Sequence, residues 1–164
     1  MPRELDEVDR GILYRLQRDA RGTTAQEIAE TVGVSPSTVR NRIDRLETEG
    51  VINGYHPEID YEAANLPLQV LFICTAPASH RSELADRILD VQGVVDLREM
   101  MTGRHNIHVE VVATSTTDIS RITDAIHDLG LEIESSELIK RRRRQPFDHF
   151  HFADLDGGTS DAGP

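Results

Sequence analysis

Apolar residues that recur at helical spacing predict three short helices in the first fifty residues. The first runs from about Asp6 to Arg18, the second follows Thr24 and ends at Gly33, and the third follows Ser35 and ends at Gly50. Their buried stripes are Leu5, Val8, Ile12 and Leu16, then Ile28 and Val32, then Val39, Ile43 and Leu46. The three helices are small and closely linked.

Capping residues mark where the second and third helices begin. Thr24 with Glu27 three residues later completes a capping box, and Ser35-Pro36 places proline at the first helical position. Only a few residues around Gly33 separate the two helices, which is the compact connection of a helix-turn-helix.

The third helix and the segment after it carry candidate DNA contacts. The extended runs around Asn53-Gly54 are a hairpin signal, so the unit is predicted to be winged. Side chains on the outward positions can donate to phosphates and base edges. The DNA-binding candidates are Ser35, Ser37, Thr38, Arg40, Asn41, Arg42, Arg45 and Asn53. An ordinary solvated face is the alternative for this set, and Arg42 could instead brace the fold by pairing with a nearby acid.

The second half of the chain has a different period. Strands are predicted over residues 68–75, 94–101, around 107–111 and 131–139. One helix is marked by Leu84, Ile88 and Val91, and another by Ile119, Ile122, Ile126 and Leu129. The order βαββαβ is the split βαβ, or ferredoxin-like, arrangement. The fold class is therefore α+β, a winged helix-turn-helix followed by a ferredoxin-like domain with one open sheet face.

These elements place the DNA-binding domain at residues 1–61, a linker at 62–67, a ferredoxin-like domain at 68–146 and a tail at 147–164. The tail is predicted to be largely disordered from residue 154, where Gly, Asp and Ser dominate. Two cores of such small size leave much apolar surface exposed, so association between subunits is expected.

The net charge of −11 argues at first against a polyanionic partner, because nucleic-acid binding usually leaves a basic footprint. Lys140 is, however, the only lysine among 18 basic residues, and Asp and Glu number 29. This bias resembles cytoplasmic proteins of salt-accumulating halophiles. Molar salt screens charge within a few ångströms, so the local placement of arginine matters more than the net charge.

Several function classes find no support in the sequence. The lone Cys74 fits a reducing cytoplasm, and no apolar run approaches the roughly 20 residues that span a bilayer. Nucleophile–base pairs, glycine-rich phosphate loops and paired carboxylates are missing, so neither catalysis nor a cofactor is predicted. His105, His108, His149 and His151 lack the spacing of metal ligands, and no metal is predicted.

One long motif spans the first domain. It runs Asp9-x-x-Ile12-Leu13-x-x-Leu16-x-x-Asp19-x-Arg21, then Ile28-Ala29, then Val34-Ser35-x-Ser37-Thr38-Val39-x-x-Arg42-Ile43-x-x-Leu46-Glu47-x-x-Gly50-Val51-Ile52-x-Gly54-Tyr55. Almost position for position it resembles the DNA-binding domain of the Lrp/AsnC, or feast/famine, transcriptional regulators. The resemblance covers roughly residues 5–140.

The resemblance implies a cytoplasmic regulator that dimerises through its C-terminal sheets, often assembles further, and responds to an amino acid or related metabolite. A dimer of this kind binds a double-stranded, pseudo-palindromic DNA site. Thr102-Gly103 looks like the start of the family's effector loop, so the effector candidates are Met101, Thr102, Gly103, Arg104 and Asn106. The family usually has an aspartate at position 106, and the asparagine leaves open an acidic ligand or none.

Two other functions stay open. Sirohaem decarboxylases resemble this architecture, and Arg104, His105 and His108 would be the candidates for such an enzyme, although the arginine-rich third helix argues against it. An oligomer that organises DNA without an effector is the other. The run Arg141 to Arg144 could form a second DNA-binding patch, but we favour a solvated role or one that neutralises acidic neighbours at a subunit interface.

Overall fold

A computed structural model describes residues 4–147 and divides into two compact units. Among these residues the first unit comprises 4–57 with 143–147, and the second comprises 58–142. The segment after residue 142, placed in the ferredoxin-like domain by its sequence, thus groups with the helix-turn-helix. The predicted disorder from residue 154, together with His149 and His151, lies outside the described residues.

Helices α1 (Glu7–Arg18), α2 (Ala25–Val32) and α3 (Pro36–Thr48) build the first unit. The capping box predicted for α2 is confirmed, because Thr24 Oγ1 accepts the N–H of Glu27 while the Glu27 carboxylate accepts the N–H of Thr24. This hydrogen bond from the Thr24 backbone lowers the pKa of Glu27. The buried core consists of Ile12, Leu13, Ile28, Ala29, Val32, Val39 and Leu46. Four residues of the predicted apolar stripes are only partly buried against it: Leu5, Val8, Leu16 and Ile43.

The hairpin predicted over residues 51–60 is wrong, because no strand forms there. Neither Asn53 nor Gly54 has the positive φ that a type I′ turn requires. The N–H of Val51 instead donates to the carbonyl of Leu46 at 2.9 Å and closes the end of α3. An isolated two-stranded hairpin is marginal in water, so local turn residues alone do not form one.

The second unit is a four-stranded antiparallel sheet with two helices. Its elements are β1 (Leu68–Thr75), α4 (Arg81–Leu89), β2 (Val94–Glu99), β3 (Ile107–Ala113), α5 (Thr116–Asp128) and β4 (Glu132–Leu138). The strand order β2-β3-β1-β4 confirms the ferredoxin-like prediction. Strand β2 ends two residues before the predicted boundary, so Met100 and Met101 belong to the loop that follows.

The sheet has one face in the core and one face without helices. Val70, Phe72 and Cys74 of β1 are buried in the core with side chains of α4 and α5. Burial, with a smaller effect of the nearby Glu134, raises the pKa of the Cys74 thiol to about 12. Cys74 is therefore an unreactive core residue.

None of the helices in residues 4–147 is both long and apolar enough to cross a membrane.

One carboxylate on the open face is buried. Glu110 of β3 is only 1% exposed. Its Oε1 accepts a hydrogen bond from Gln69 Nε2 at 2.5 Å, while its Oε2 forms ion pairs with Arg142 and, at 3.6 Å, with Arg98. A buried charge is costly unless it is paired, so Arg142 and Arg98 allow the carboxylate to lie in the sheet.

Candidate DNA interface and effector loop

The connection between α2 and α3 is built from local signals. Gly33 ends α2 in the left-handed conformation, with φ 72° and ψ 32°, which glycine adopts without steric cost. Ser35 then caps α3, because its Oγ accepts the N–H of Thr38 at 3.1 Å. Three residues thus separate the two helices, which is the short turn of a helix-turn-helix.

The outward face of α3 is polar and exposed. Ser37, Arg40, Asn41 and Arg45 are exposed, whereas Val39 and Leu46 on the opposite face are fully buried. Arg45 Nε lies 3.8 Å from Glu49 Oε1, and an exposed pair of this kind is weak. The helix therefore presents hydrogen-bond donors at successive turns on one face.

Ser35 and Thr38 differ from these outward residues because their hydroxyls form hydrogen bonds within the protein. The Oγ of Ser35 lies 2.8 Å from Thr38 Oγ1 and 2.9 Å from Ser37 Oγ, so the three hydroxyls form one hydrogen-bonded cluster at the start of α3. Thr38 is half-buried. The backbone N–H groups of the first turn of α3 lie at the same end of the helix as this cluster. Such N–H groups attract anions.

Arg42 is occupied by the acids of α1. Its guanidinium donates to Asp6 at 2.6 Å and to Asp9 at 3.1 Å, and Asp9 is fully buried. The pKa of Asp6 is lowered, first by the backbone N–H of Asp9 and then by Arg42. Arg42 therefore links α3 to the acids of α1, as the alternative interpretation of its sequence position expects.

Asn53 lies in the exposed segment after α3. Tyr55, two residues later, donates its hydroxyl to Glu47 Oε1 at 2.8 Å. Partial burial, reinforced by the charge of Glu47, raises the pKa of Tyr55 to about 12. The segment is held against the end of α3 by this hydrogen bond rather than by strand pairing.

The loop between β2 and β3 is held at both ends. The N–H of Met100 donates to the carbonyl of Asn106 at 2.8 Å, and Arg81 of α4 donates to the carbonyl of Met100 at 2.9 Å. Gly103 has a φ of 97°, and Met101 is 91% exposed. The loop therefore projects its middle residues into solvent from a fixed base.

The side chain of Asn106 is turned inward. Its Oδ1 accepts the N–H of Ala76 and its Nδ2 donates to the carbonyl of Ala76, both at 2.9 Å. The side-chain amide thus pairs with both polar groups of one backbone residue, and Asn106 is 8% exposed. An aspartate has no donor for the Ala76 carbonyl when it is ionised, so this arrangement suits asparagine.

Arg104 is paired with an acid of β4. Its guanidinium lies 3.2 Å from Glu134 Oε1, and the Thr75 hydroxyl is 3.0 Å from the same oxygen. Thr102 and His105 are exposed in the loop, whereas His108 lies on the open sheet face. Among residues 4–147 no group of three or more His, Cys, Asp and Glu side chains could hold a metal ion.

Comparison with known proteins decides the family. Residues 5–53 match a family model described as winged helix-turn-helix DNA-binding. The crystal structure of the Mycobacterium tuberculosis leucine response regulatory protein LrpA superposes with a TM-score of 0.72 at 26% identity, covering 87% of this chain and all of that one (100%). The HTH-type transcriptional regulator LysM of Sulfurisphaera tokodaii is 32% identical over 139 residues, which cover 84% of this chain and 96% of LysM. The chain belongs to the Lrp-like family of helix-turn-helix transcriptional regulators.

A second relative of this Lrp-like regulator is more similar in sequence but longer. The HTH-type transcriptional regulator AldR of Mycobacterium tuberculosis is 36% identical over 120 residues, which cover 72% of this chain and 66% of AldR. The match spans about two thirds of AldR, so AldR supports the family and not the activity of a whole protein.

Three side chains of the Lrp-like regulator have partners that sequence patterns did not identify, although a pairing of Arg42 with some nearby acid was one of the alternatives. The partners of Arg42 lie 36 and 33 residues away, Asn106 meets Ala76 at a separation of 30, and Glu110 meets Gln69 at a separation of 41. Polar residues at apolar-facing positions, such as Asp9 beside Ile12, are the only local signal that a buried pair exists.

Replacing Arg42 with alanine is expected to lower the free energy of unfolding by about 2 kcal/mol, because it leaves the buried carboxylate of Asp9 without its guanidinium. Chemical denaturation of Arg42→Ala and of the matched Arg40→Ala, an exposed position on the same helix, measures the difference. Equal stability of the two variants would contradict the brace.

Proposed function

We propose that this Lrp-like regulator acts in the cytoplasm and recognises a specific, pseudo-palindromic DNA sequence through the outward face of α3. The observation that carries the proposal is the exposed row of Ser37, Arg40, Asn41 and Arg45 beside a three-residue turn. Arginine and asparagine make the bidentate contacts that distinguish guanine and adenine in the major groove. Ser35, Thr38 and Asn53 flank this row, and Arg42 orients the helix.

We propose that the second unit joins subunits through the open face of its sheet. The half-buried Leu71 and Ile73 supply apolar surface there, between the charged groups around Glu110. Burial of this surface against another copy would stabilise two small cores. A dimer presents two α3 helices with two-fold symmetry, which matches a palindromic site.

We propose that the loop Met101 to Asn106 binds an amino acid or a related metabolite. A transcriptional regulator of Neisseria meningitidis, NMB0573, has been solved as an L-Met complex, with a TM-score of 0.71 and 23% identity to this chain. Thr102, Gly103 and Arg104 are exposed in the loop and able to meet a carboxylate. Asn106 acts by positioning the loop on β1.

A ligand at this loop regulates DNA binding only if it binds two assemblies of the protein with different affinity. Bound between subunits, it would change the spacing of the α3 helices and thereby the DNA sites that the assembly fits. The coupling free energy sets the size of the response.

Selection of bound fragments from a random DNA pool, at about 2 M KCl to match a halophile cytoplasm, tests the proposal. The selection is run with and without a mixture of amino acids and central metabolites. Enrichment of a pseudo-palindrome supports sequence-specific regulation, and a change of yield with metabolites supports sensing. Enrichment without any metabolite response favours a DNA-organising oligomer, and no enrichment contradicts the proposal.

We propose further that the protein works in concentrated salt, as its acidic, lysine-poor composition indicates. Repulsion between carboxylates is screened in molar salt but extends about 10 Å at 0.1 M. The midpoint of thermal unfolding is therefore expected to rise by about 10 °C between 0.1 and 2 M KCl, with the fold loosening below about 0.5 M. Sucrose at matched water activity is the control, and full stability in dilute buffer would contradict the salt adaptation.

A further inference from the structure

The segment that follows β4 is attached at two points, and we call residues 139–147 the C-terminal arm. The N–H of Ile139 donates to the carbonyl of Gln69 at 2.8 Å, which prolongs the pairing of β4 with β1. Arg142 then forms the ion pair with the buried Glu110. The first half of the arm is therefore fixed on the second unit.

The second half of the arm belongs to the unit that carries α3. Residues 143–147 group with the helix-turn-helix. The N–H of Phe147 donates to Gln17 Oε1 of α1 at 3.4 Å, and Gln17 is itself oriented because its Nε2 donates to the carbonyl of Leu13. The chain thus returns to the DNA-binding unit after it leaves the sheet.

Two arginines of the arm, Arg143 and Arg144, belong to the DNA-binding unit. Arg143 and Arg144 are exposed, and neither forms an ion pair or a side-chain hydrogen bond with any of residues 4–147. Arg142 differs, because its guanidinium is committed to Glu110. The arginine run therefore contains an anchor, Arg142, and two exposed guanidinium groups, Arg143 and Arg144, that have no acidic partner among residues 4–147.

The DNA-binding unit is short of positive charge without the arm. Residues 4–57 contain seven arginines and no lysine against ten aspartates and glutamates, and Arg42 is spent on two of those acids. A protein that binds DNA needs cations to neutralise phosphates, whatever its base contacts. The arm adds Arg143 and Arg144 to the seven arginines of this acidic unit.

We infer that Arg143 and Arg144 bind backbone phosphates of the DNA that α3 contacts. The inference rests on the proposed function, since it needs the helix-turn-helix to bind DNA. Guanidinium groups recognise phosphate oxygens through paired N–H donors, and such contacts position a protein without reading sequence. The arm thus adds a sequence-independent grip on DNA to the unit that carries α3.

The test compares full-length wild type with Arg143→Gln/Arg144→Gln in binding a fluorescent duplex of mixed sequence across a KCl series. Loss of two phosphate contacts is expected to reduce the slope of log affinity against log salt by about 1.8, and to weaken binding roughly 10- to 100-fold near 0.1 M salt. Arg143→Lys/Arg144→Lys should keep most of the slope, because lysine also pairs with phosphate.

The matched control is Arg87→Gln/Arg121→Gln, which removes the same net charge from exposed positions of the second unit. If the salt slope changes equally in both double variants, or in neither, the arm does not contact phosphates. Binding of the duplex by wild type would in that case still support DNA binding by the helix-turn-helix. Failure of wild type to bind the duplex at any salt concentration overturns the proposed function itself. Sedimentation of each variant checks that the assembly state is unchanged.

Discussion

Replacing Arg142 with alanine is expected to lower the free energy of unfolding by about 3 kcal/mol, because a buried carboxylate then loses its nearest cation. Glu110 keeps Gln69 and Arg98, so the loss falls at the lower end of the range for broken buried pairs. Urea denaturation of the full chain at one protein concentration measures it.

Removing the buried charge of Glu110 together with the guanidinium of Arg142 should restore most of this stability. In Glu110→Gln/Arg142→Ala no buried charge is left unpaired, so the double variant is expected to be more stable than Arg142→Ala alone. The exposed Arg141 provides the control, since Arg141→Ala should stay within about 0.5 kcal/mol of wild type. If Arg142→Ala also changes the free energy of unfolding by less than about 0.5 kcal/mol, the ion pair with Arg142 does not stabilise Glu110.

Arg40→Ala/Arg45→Ala is expected to weaken binding to the selected DNA site at least about 30-fold, because each base contact contributes about 1 to 3 kcal/mol. The two side chains are exposed and project from one face of α3, so the fold and the assembly state should not change. Affinity is measured at one fixed salt concentration, since phosphate contacts alone make binding salt-dependent.

Comparison of two DNA probes separates base recognition from simple charge loss. The double variant should lose more affinity for the selected site than for mixed-sequence DNA, whereas Arg87→Ala/Arg121→Ala should affect both probes slightly and equally. Unchanged affinity of Arg40→Ala/Arg45→Ala for the selected site would remove α3 from the interface and with it the assignment of the recognition helix.

The helices of the DNA-binding unit were predictable because their signals are local. Thr24 with Glu27, Ser35 with Pro36, and Gly33 each act within one turn of the residues they cap, and all three elements form where predicted. The sheet was predictable for a related reason. A continuous apolar run marks β1, apolar residues at every second position mark β3, and the order of elements then restricts the topology.

Local signals failed where they lacked tertiary support or competed with it. The Asn53-Gly54 pair predicts a hairpin, yet the backbone at these two residues stays out of the left-handed region and the segment is held by Tyr55 on Glu47. Turn propensity amounts to a small free energy, so packing against α3 overrides it. The sequence could also not show that Arg142, alone among Arg141 to Arg144, pairs with an acid of residues 4–147.

By itself, then, the sequence determined the elements, their order, the two small cores and the helix-turn-helix with its polar outward face. Only the tertiary structure decided which polar residues are committed to other residues: Arg42 to the acids of α1, Asn106 to the backbone of Ala76, and Arg142 to Glu110. The physical reason is that helix caps and apolar periodicity act over a few residues, whereas a buried charge or amide is satisfied by partners tens of residues away.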